Sequence, residues 1–470
     1  MPSLEFHRSR RNAFLDSIDG PVLLFAGGFL PRNYPANVHP FRADSTFLYF
    51  FDRPEPDAAA LFDPAARTVT LFLHERTAAD ALWHGATPPF EEELVRHGVD
   101  AILPVEALKE HVLRLARGRK IRSLAVSDPK TTALANQITG ESRVFDSVGG
   151  LTDPALADAL FALRSRKLPA ELDEIRRAAA VTHEAHVSAI ASTAPGGTEA
   201  ALTAIVEGAF LHHGCTWAYP TILSVRGEVL HNNHHGNDLR GGDLVLLDAG
   251  AEAQSGYCAD VTRTWPVSGR FDALQGEIYD IVLRAELAAI AKVRPGVRYR
   301  DLHLESARVI ADGLGQMGFL RGSPDALVES GAHAIFFPHG VGHQLGLDVH
   351  DMEAFGDRLH YTSGRTRSEQ FGTCYLRMDR DLLSGMVFTI EPGIYFVPAI
   401  LTDRALTERF AGQVDFTRAL ELARKHGGRG FGGVRIEDDV LCTETGAEVL
   451  TSSIPKERAA IESLVGSARE

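Results

Sequence analysis

Apolar residues in the first third of the chain come in short runs broken by turn residues, and two kinds of run alternate. "GPVLLFAGG", "TFLYFF" and "AALFDPAARTVTLFL" are dense in Leu, Val and Phe and read as strands, with "SLAVS" a further strand-like run. "PPFEEELVRHG" and "AILPVEALKEHVLRLARG" are amphipathic at helical spacing. This alternation is the mark of an α/β layer. The loop "DSVGGLTDP" closes it near residue 154, and "KLPAELDEIRRAAAVTHEAHVSAIAST" then opens with Pro169 at a first-turn position and acids behind it, as a helix start does. The pattern predicts a smaller domain over 1–160 and a larger one over 161–470, joined between 154 and 168.

In the larger part, helical periodicity spans 169–193, 197–213, 271–292 and 300–317. "LVLLDAG", "GYCADVTRTWPV", "MVFTIEPGIYF" and "GGVRIEDDVLCT" read as strands. Helices and antiparallel strands in separate runs predict an α+β fold. One strand poses a problem: in "GDLVLLDAG", Leu244, Leu246 and Asp248 fall on one face, which puts a carboxylate at the end of an apolar row. The same nine-residue shape returns as "GMVFTIEPG", with Glu391 in the place of Asp248. Two such strands suggest one shared site in two related halves.

At 470 residues the chain is too long for one ordinary core, and its 44% hydrophobic and 23% charged residues are those of a globular protein. A net charge of -14 argues against nucleic acid or an anionic membrane as partner. The first residues hold no apolar run long enough for a signal-peptide core, so a cytoplasmic location is expected. Cys215, Cys258, Cys374 and Cys442 lack CxxC spacing and are expected as reduced, mostly buried thiols.

Four acids end or interrupt the predicted strands: Asp248, Asp260, Glu391 and Glu437. Cys258, Asp260, Thr262 and Thr264 share one strand face by alternation, as do Arg435 and Glu437. If the strands converge, each like-charged pair in contact costs on the order of 4 kcal/mol at an effective dielectric near 20. Protons or cations must then accompany the acids. "PHGVGHQLGLDVHD" supplies His339, His343 and His350 among glycines. One imidazole with four carboxylates is an oxygen-rich donor set that suits Mn²⁺ and tolerates Co²⁺ or Zn²⁺, and four negative charges balance two divalent ions. Taken singly, each acid reads as a strand-end or turn residue and "HGVGH" as a Gly-rich loop; it is the set that asks for one explanation.

"LLDAGAEAQSGYCADVTRTWPVSGRF", "PHGVGHQLGLDVHD", "FTIEPGIYF" and "GGVRIEDDVLCT" together resemble the signature blocks of the pita-bread metallopeptidases, in the Xaa-Pro branch of aminopeptidase P and prolidase. "FRADSTFLYFFDRPEP" is similar to that branch's N-terminal domain. The resemblance implies a C-terminal pita-bread domain behind a smaller α/β domain, two divalent ions, and hydrolysis of the bond between an N-terminal residue and proline by a metal-bridging hydroxide. It implies Asp248, Asp260, His343, Glu391 and Glu437 as ligands, with Asp260 and Glu437 bridging, Asp248 on one ion and His343 and Glu391 on the other. Glu391 is also similar to the family's proton shuttle. His231, His339 and His350 resemble histidines that contact substrate and steady the intermediate, Arg435 the arginine beside the last ligand, Tyr395 a tyrosine near the site, and Trp83 an aromatic of the proline pocket, from a neighbouring subunit. His234 and His235 are expected at the surface, and His212 and His213 at a helix end.

A homodimer or homotetramer is expected, acting on peptides with proline second. The segments at 352–385 and 397–431 depart from the shortest aminopeptidase P pattern and leave an Xaa-Pro dipeptidase open. Further alternatives are a non-catalytic pita-bread binding protein, expected to have lost ligands, and a creatinase-like amidinohydrolase, expected to lack the full acidic set.

Overall fold

The computed structural model describes residues 3–52, 54–116, 118–145, 151, 153–362, 364–426 and 429–469. The predicted loop "DSVGGLTDP" falls largely on 146–150 and 152, outside them. The chain forms two compact units, Met1–Ser165 with Met352–Leu359, and Arg166–Asp351 with His360–Glu470. No pattern in the sequence marks Met352–Leu359 as part of the first unit.

The first unit holds a five-stranded sheet in the spatial order Ala101–Pro104, Thr68–Leu73, Ala59–Asp63, Val22–Phe25, Arg122–Ser123. Its inner pairings are antiparallel and its two outermost are parallel. Three expectations need correction. "TFLYFF" is a helix, Ser45–Phe50, whose start is capped by Asp44 accepting from the Thr46 N–H at 2.8 Å. Five of its six residues are buried, so it shows no polar face and imitates a strand run. "AILPVEALKEHVLRLARG" opens as the strand Ala101–Pro104, passes through a 3-10 turn at Val105–Ala107 and is α-helical only over Leu108–Ala116. In "SLAVS" the ladder stops at Ser123.

In the second unit two helix pairs mirror each other. Pro169–Ser192 packs on Glu199–His212, and their apolar faces meet Leu223, Val245, Leu247 and Trp265 of a three-stranded antiparallel sheet ordered Thr262–Pro266, Leu244–Asp248, Ile222–Ser224. Ala273–Ala291 packs on Tyr299–Gln316, and theirs meet Phe388, Ile390 and Val440 of a second such sheet, ordered Val387–Ile390, Asp438–Cys442, Ala447–Val449. Three predicted strands are shorter than expected. "MVFTIEPGIYF" is two strands, Val387–Ile390 and Gly393–Tyr395, with Glu391 between them. The ladder of "GYCADVTRTWPV" begins only at Thr262, which leaves Asp260 outside it. "GGVRIEDDVLCT" is two strands, Gly433–Arg435 and Asp438–Cys442, with Glu437 in the break. Asp248 and Asp260 are drawn together because Gly250 has no side chain: a Cβ there would lie 1.7 Å from the Ala259 carbonyl oxygen.

Candidate active site

Asp248 ends the central strand of the first sheet, where it pairs with Thr262 on one side and Ile222 on the other. Asp248 is 8% exposed, and its carboxylate accepts from Arg435 Nη2 and from the Tyr219 hydroxyl, each at 2.5 Å. The same hydroxyl also reaches Asp260 Oδ1. A phenol carries one proton and can donate it to only one of two carboxylates, so the second contact needs a proton on the acid. Burial, then the neighbouring Asp248, pushes the Asp260 carboxyl up to about 8, which supplies that proton at neutral pH.

His343 comes from the loop after Phe337. Its Nδ1 lies 3.1 Å from the Gln344 carbonyl oxygen, and only a donor fits there. That leaves Nε2 as the ring nitrogen facing the acids, 3.4 Å from Asp260 Oδ2 and 3.6 Å from Glu391 Oε1. Glu437, in the break between strands, accepts from Thr262 Oγ1 at 2.6 Å, and that hydroxyl accepts in turn from Arg435 Nε at 2.9 Å. Donor atoms of Asp260, His343 and Glu437 all lie within 4.8 Å of one another. Burial pushes Glu391 up to about 7, and burial, then Asp260 and Glu391, raise Glu437 well above the usual range.

Three buried carboxyls that resist ionisation together form a site short of positive charge. Carboxylate oxygens with one correctly oriented imidazole match an oxygen-preferring dication, and the Gln344 carbonyl is the outer partner that fixes a ligating imidazole. Asp248, Asp260, His343, Glu391 and Glu437 could hold such ions.

Arg435 is 3% exposed and ties the cluster to its surroundings: besides Asp248 and Thr262, it donates from Nη1 to the Tyr395 hydroxyl at 3.0 Å. That hydroxyl lies 2.9 Å from His339 Nε2, and His339 Nδ1 lies 2.8 Å from the Gly340 carbonyl oxygen. The chain is consistent with a neutral His339 that donates from Nδ1 and accepts at Nε2. Burial, then Arg435, holds its pKa at about 3. The His350 ring packs against His343 at a tilt of 52°, with centroids 4.1 Å apart. His231 is exposed at the solvent edge, within electrostatic reach of Asp248, Arg435, Arg377 and His350, and its pKa is lowered by burial of part of the ring. His234 is exposed, whereas His235 is half-buried and within 3.2 Å of the Leu223 carbonyl oxygen. Trp83 belongs to the first unit, on the helix Ala78–His84, and is 77% exposed rather than packed.

Tyr219 and Thr262 are the members that sequence reasoning missed as site groups. Nothing in "TWAYPTI" marks Tyr219; only the pairing of Ile222–Ser224 with Leu244–Asp248 carries it to the acids. Thr262 was legible as a face-mate of Asp260, but not as the hydroxyl that joins Arg435 to Glu437.

Residues 173–444 match the model of metallopeptidase family M24, and residues 7–124 match the aminopeptidase P N-terminal domain. The chain belongs to metallopeptidase family M24, with the smaller α/β domain in front of an α+β pita-bread domain. It is similar over nearly its whole length to the Xaa-Pro aminopeptidase of Escherichia coli (strain K12), with 32% identity over 99% of this chain and 98% of that one. A probable Xaa-Pro aminopeptidase of Aspergillus niger is 33% identical over 88% of this chain and 86% of its own. Among solved structures, zinc-substituted E. coli aminopeptidase P in complex with product superposes with a TM-score of 0.81 at 30% identity, covering 100% of this chain and 99% of that one. Pseudomonas aeruginosa aminopeptidase PepP gives a TM-score of 0.81 at 31% identity, with the same coverage.

Proposed function

We propose that the protein is a dinuclear-metal Xaa-Pro aminopeptidase that hydrolyses the bond between an N-terminal residue and proline. The observation that carries the reading is the convergence of Asp260, His343 and Glu437 beside Glu391 and Asp248, in a chain similar end to end to Xaa-Pro aminopeptidases. That full-length similarity favours an aminopeptidase over a dipeptidase, and the complete donor set speaks against a non-catalytic binding protein or a creatinase-like amidinohydrolase.

Asp248, Asp260, His343, Glu391 and Glu437 would hold two divalent ions, Mn²⁺ first and Co²⁺ or Zn²⁺ as substitutes. When bound, such ions acidify water and polarise a carbonyl. The protein's own groups do the rest. Glu391, whose Oε1 lies 3.6 Å from His343 Nε2, accepts a proton from the attacking water at Oε and returns it to the departing proline nitrogen. That return matters because the nitrogen before cleavage is a tertiary amide without N–H and leaves only once protonated. Arg435 holds Asp248 in place and keeps Thr262 aligned on Glu437. Tyr395 holds the His339 ring beside Glu391, 3.9 Å from His339 Nδ1 to Oε2. His231 and His350 face the substrate and steady the developing oxyanion. Trp83, exposed on its helix, is available to the proline pocket of a neighbouring copy in a homodimer or homotetramer.

Residues 1–160 act as the N-terminal domain and 161–470 as the catalytic one. No helix among the described residues is long and apolar enough to cross a membrane, and the net charge of -14 supports peptides rather than nucleic acid as partner. The protein works in the cytoplasm. The test supplies Mn²⁺ and follows products from Ala-Pro and Ala-Pro-Ala. Faster release of alanine from the tripeptide is expected; cleavage confined to the dipeptide would make the enzyme a prolidase.

A further inference from the structure

His231 is carried by the stretch between Ser224 and Asn237, which has no ladder of its own after Ser224. Such a stretch needs another anchor if its histidine is to meet a substrate reproducibly. The anchor is Glu199, in the first turn of the helix Glu199–His212 and 0% exposed. Its Oε1 accepts from Ser224 Oγ at 2.9 Å, the Val225 N–H at 2.8 Å and Asn237 Nδ2 at 3.0 Å. Its Oε2 accepts from the Asn237 N–H at 2.9 Å and from Asn237 Nδ2 at 3.0 Å. One carboxylate thus grips both ends of the stretch. Backbone bonds between Glu199 N–H and the Asn237 carbonyl (3.0 Å) and between Leu239 N–H and the Gly197 carbonyl (2.8 Å) fasten the far end to the same helix start.

The grip extends to the neighbour of His231. Ser224 Oγ, which donates to Glu199, accepts from Asn232 Nδ2 at 2.9 Å and from the Arg226 N–H at 2.9 Å. Asn232 Oδ1 accepts from the His234 N–H at 3.1 Å. A continuous path therefore runs from the buried carboxylate through Ser224 to the residue beside His231. The first turn of the helix places the Glu199 side chain at the positive end of the helix dipole, where the donors converge on it.

We infer that Glu199 is a positioning residue that fixes His231 toward the substrate by stapling both ends of the stretch 225–237. The inference rests on the substrate-facing role proposed for His231. A carboxylate is required: Glu199→Gln keeps the shape but offers an amide NH₂ to groups that are themselves donors, which breaks at least one end of the staple.

The test is a double-mutant cycle on Mn²⁺-loaded full-length protein with Ala-Pro-Ala, combining Glu199→Gln with His231→Ala. If Glu199 acts through His231, Glu199→Gln lowers kcat about 10- to 100-fold with KM within about twofold. The same change in the His231→Ala background then costs less than about threefold. A merely structural Glu199 would lower the melting temperature and leave the two effects multiplicative, which overturns the inference. So would an unaltered kcat in Glu199→Gln. Should Glu199→Gln not fold, Ser224→Ala cuts the path to Asn232 and leaves the Val225 and Asn237 bonds, and the same cycle with it decides. Amide exchange over 225–237 gives a readout that needs no turnover, and faster exchange in Glu199→Gln is expected. If the wild-type enzyme leaves Ala-Pro-Ala intact, the proposed function fails, while the exchange measurement still judges the staple.

Discussion

The two echoing strand ends, at Asp248 and Glu391, present the same chemical group in two different states of restraint. Asp248 closes a central strand and is gripped by Arg435 and Tyr219 at 2.5 Å. Glu391 follows an edge strand. Its nearest side-chain partners are longer: Thr389 Oγ1 at 3.4 Å, His343 Nε2 at 3.6 Å and His339 Nδ1 at 3.9 Å. A carboxylate held by a guanidinium is fixed in place. One held loosely in a buried setting, with its pKa lifted to about 7, can take up and give back a proton near neutrality. Related sequence patterns thus yield a tightly held carboxylate on one side and a loosely held one on the other, which suits the second for the proton-carrying role proposed for it.

The broadest way to break this comparison is to remove the metal. Chelation is expected to abolish peptide cleavage and Mn²⁺ to restore it; full activity in protein shown metal-free by elemental analysis would end the reading. Next in size, Glu391→Gln should lower kcat by about 10²–10⁴-fold with little change in KM, the loss typical of an acid–base group. A loss mainly in KM would assign Glu391 to binding alone. Arg435→Ala leaves the buried Asp248 without its cation and is expected to destabilise metal-free protein by about 3–5 kcal/mol in urea unfolding, with less loss once metal is bound.

The pH dependence of stability sharpens the contrast further. Asp260 and Glu391 titrate at about 8 and about 7 in the fold, above their ordinary values, so between about 4 and 8 the native state binds more protons than the unfolded chain. The stability they contribute is present at low pH and lost as pH rises through those values. The melting temperature of metal-free protein should therefore fall from pH 5 to pH 8, and divalent ion should reverse the slope. A flat metal-free profile would mean that the acids ionise freely. Smallest of all, Tyr219→Phe removes the hydroxyl shared by Asp248 and Asp260, two hydrogen bonds of about 0.5–1.5 kcal/mol each, and is expected to weaken metal binding in calorimetry while Glu391→Gln kinetics stay as before.

Much of the second unit was legible. The four long helices fall within two residues of the periodicity at each end, because each has one face buried and one wet, and that contrast is written in the order of residues. The first unit was harder. Ser45–Phe50 is buried on nearly every side, and a segment without a wet face carries no period to read.

By itself the sequence determined the chemical inventory: which acids end apolar strands, which histidines stand among glycines, and which motifs they compose. Tertiary structure alone decided how those groups are partnered. It placed Tyr219 between two aspartates, set Glu437 in a break between strands rather than within one, oriented the ring of His343 through a backbone carbonyl, and brought Glu199 to both ends of the His231 stretch. The reason is physical. Periodicity reports how a residue divides its surface between water and core, a local property. Hydrogen-bond partners come from strands and helices distant in the chain, and they meet only when the fold closes.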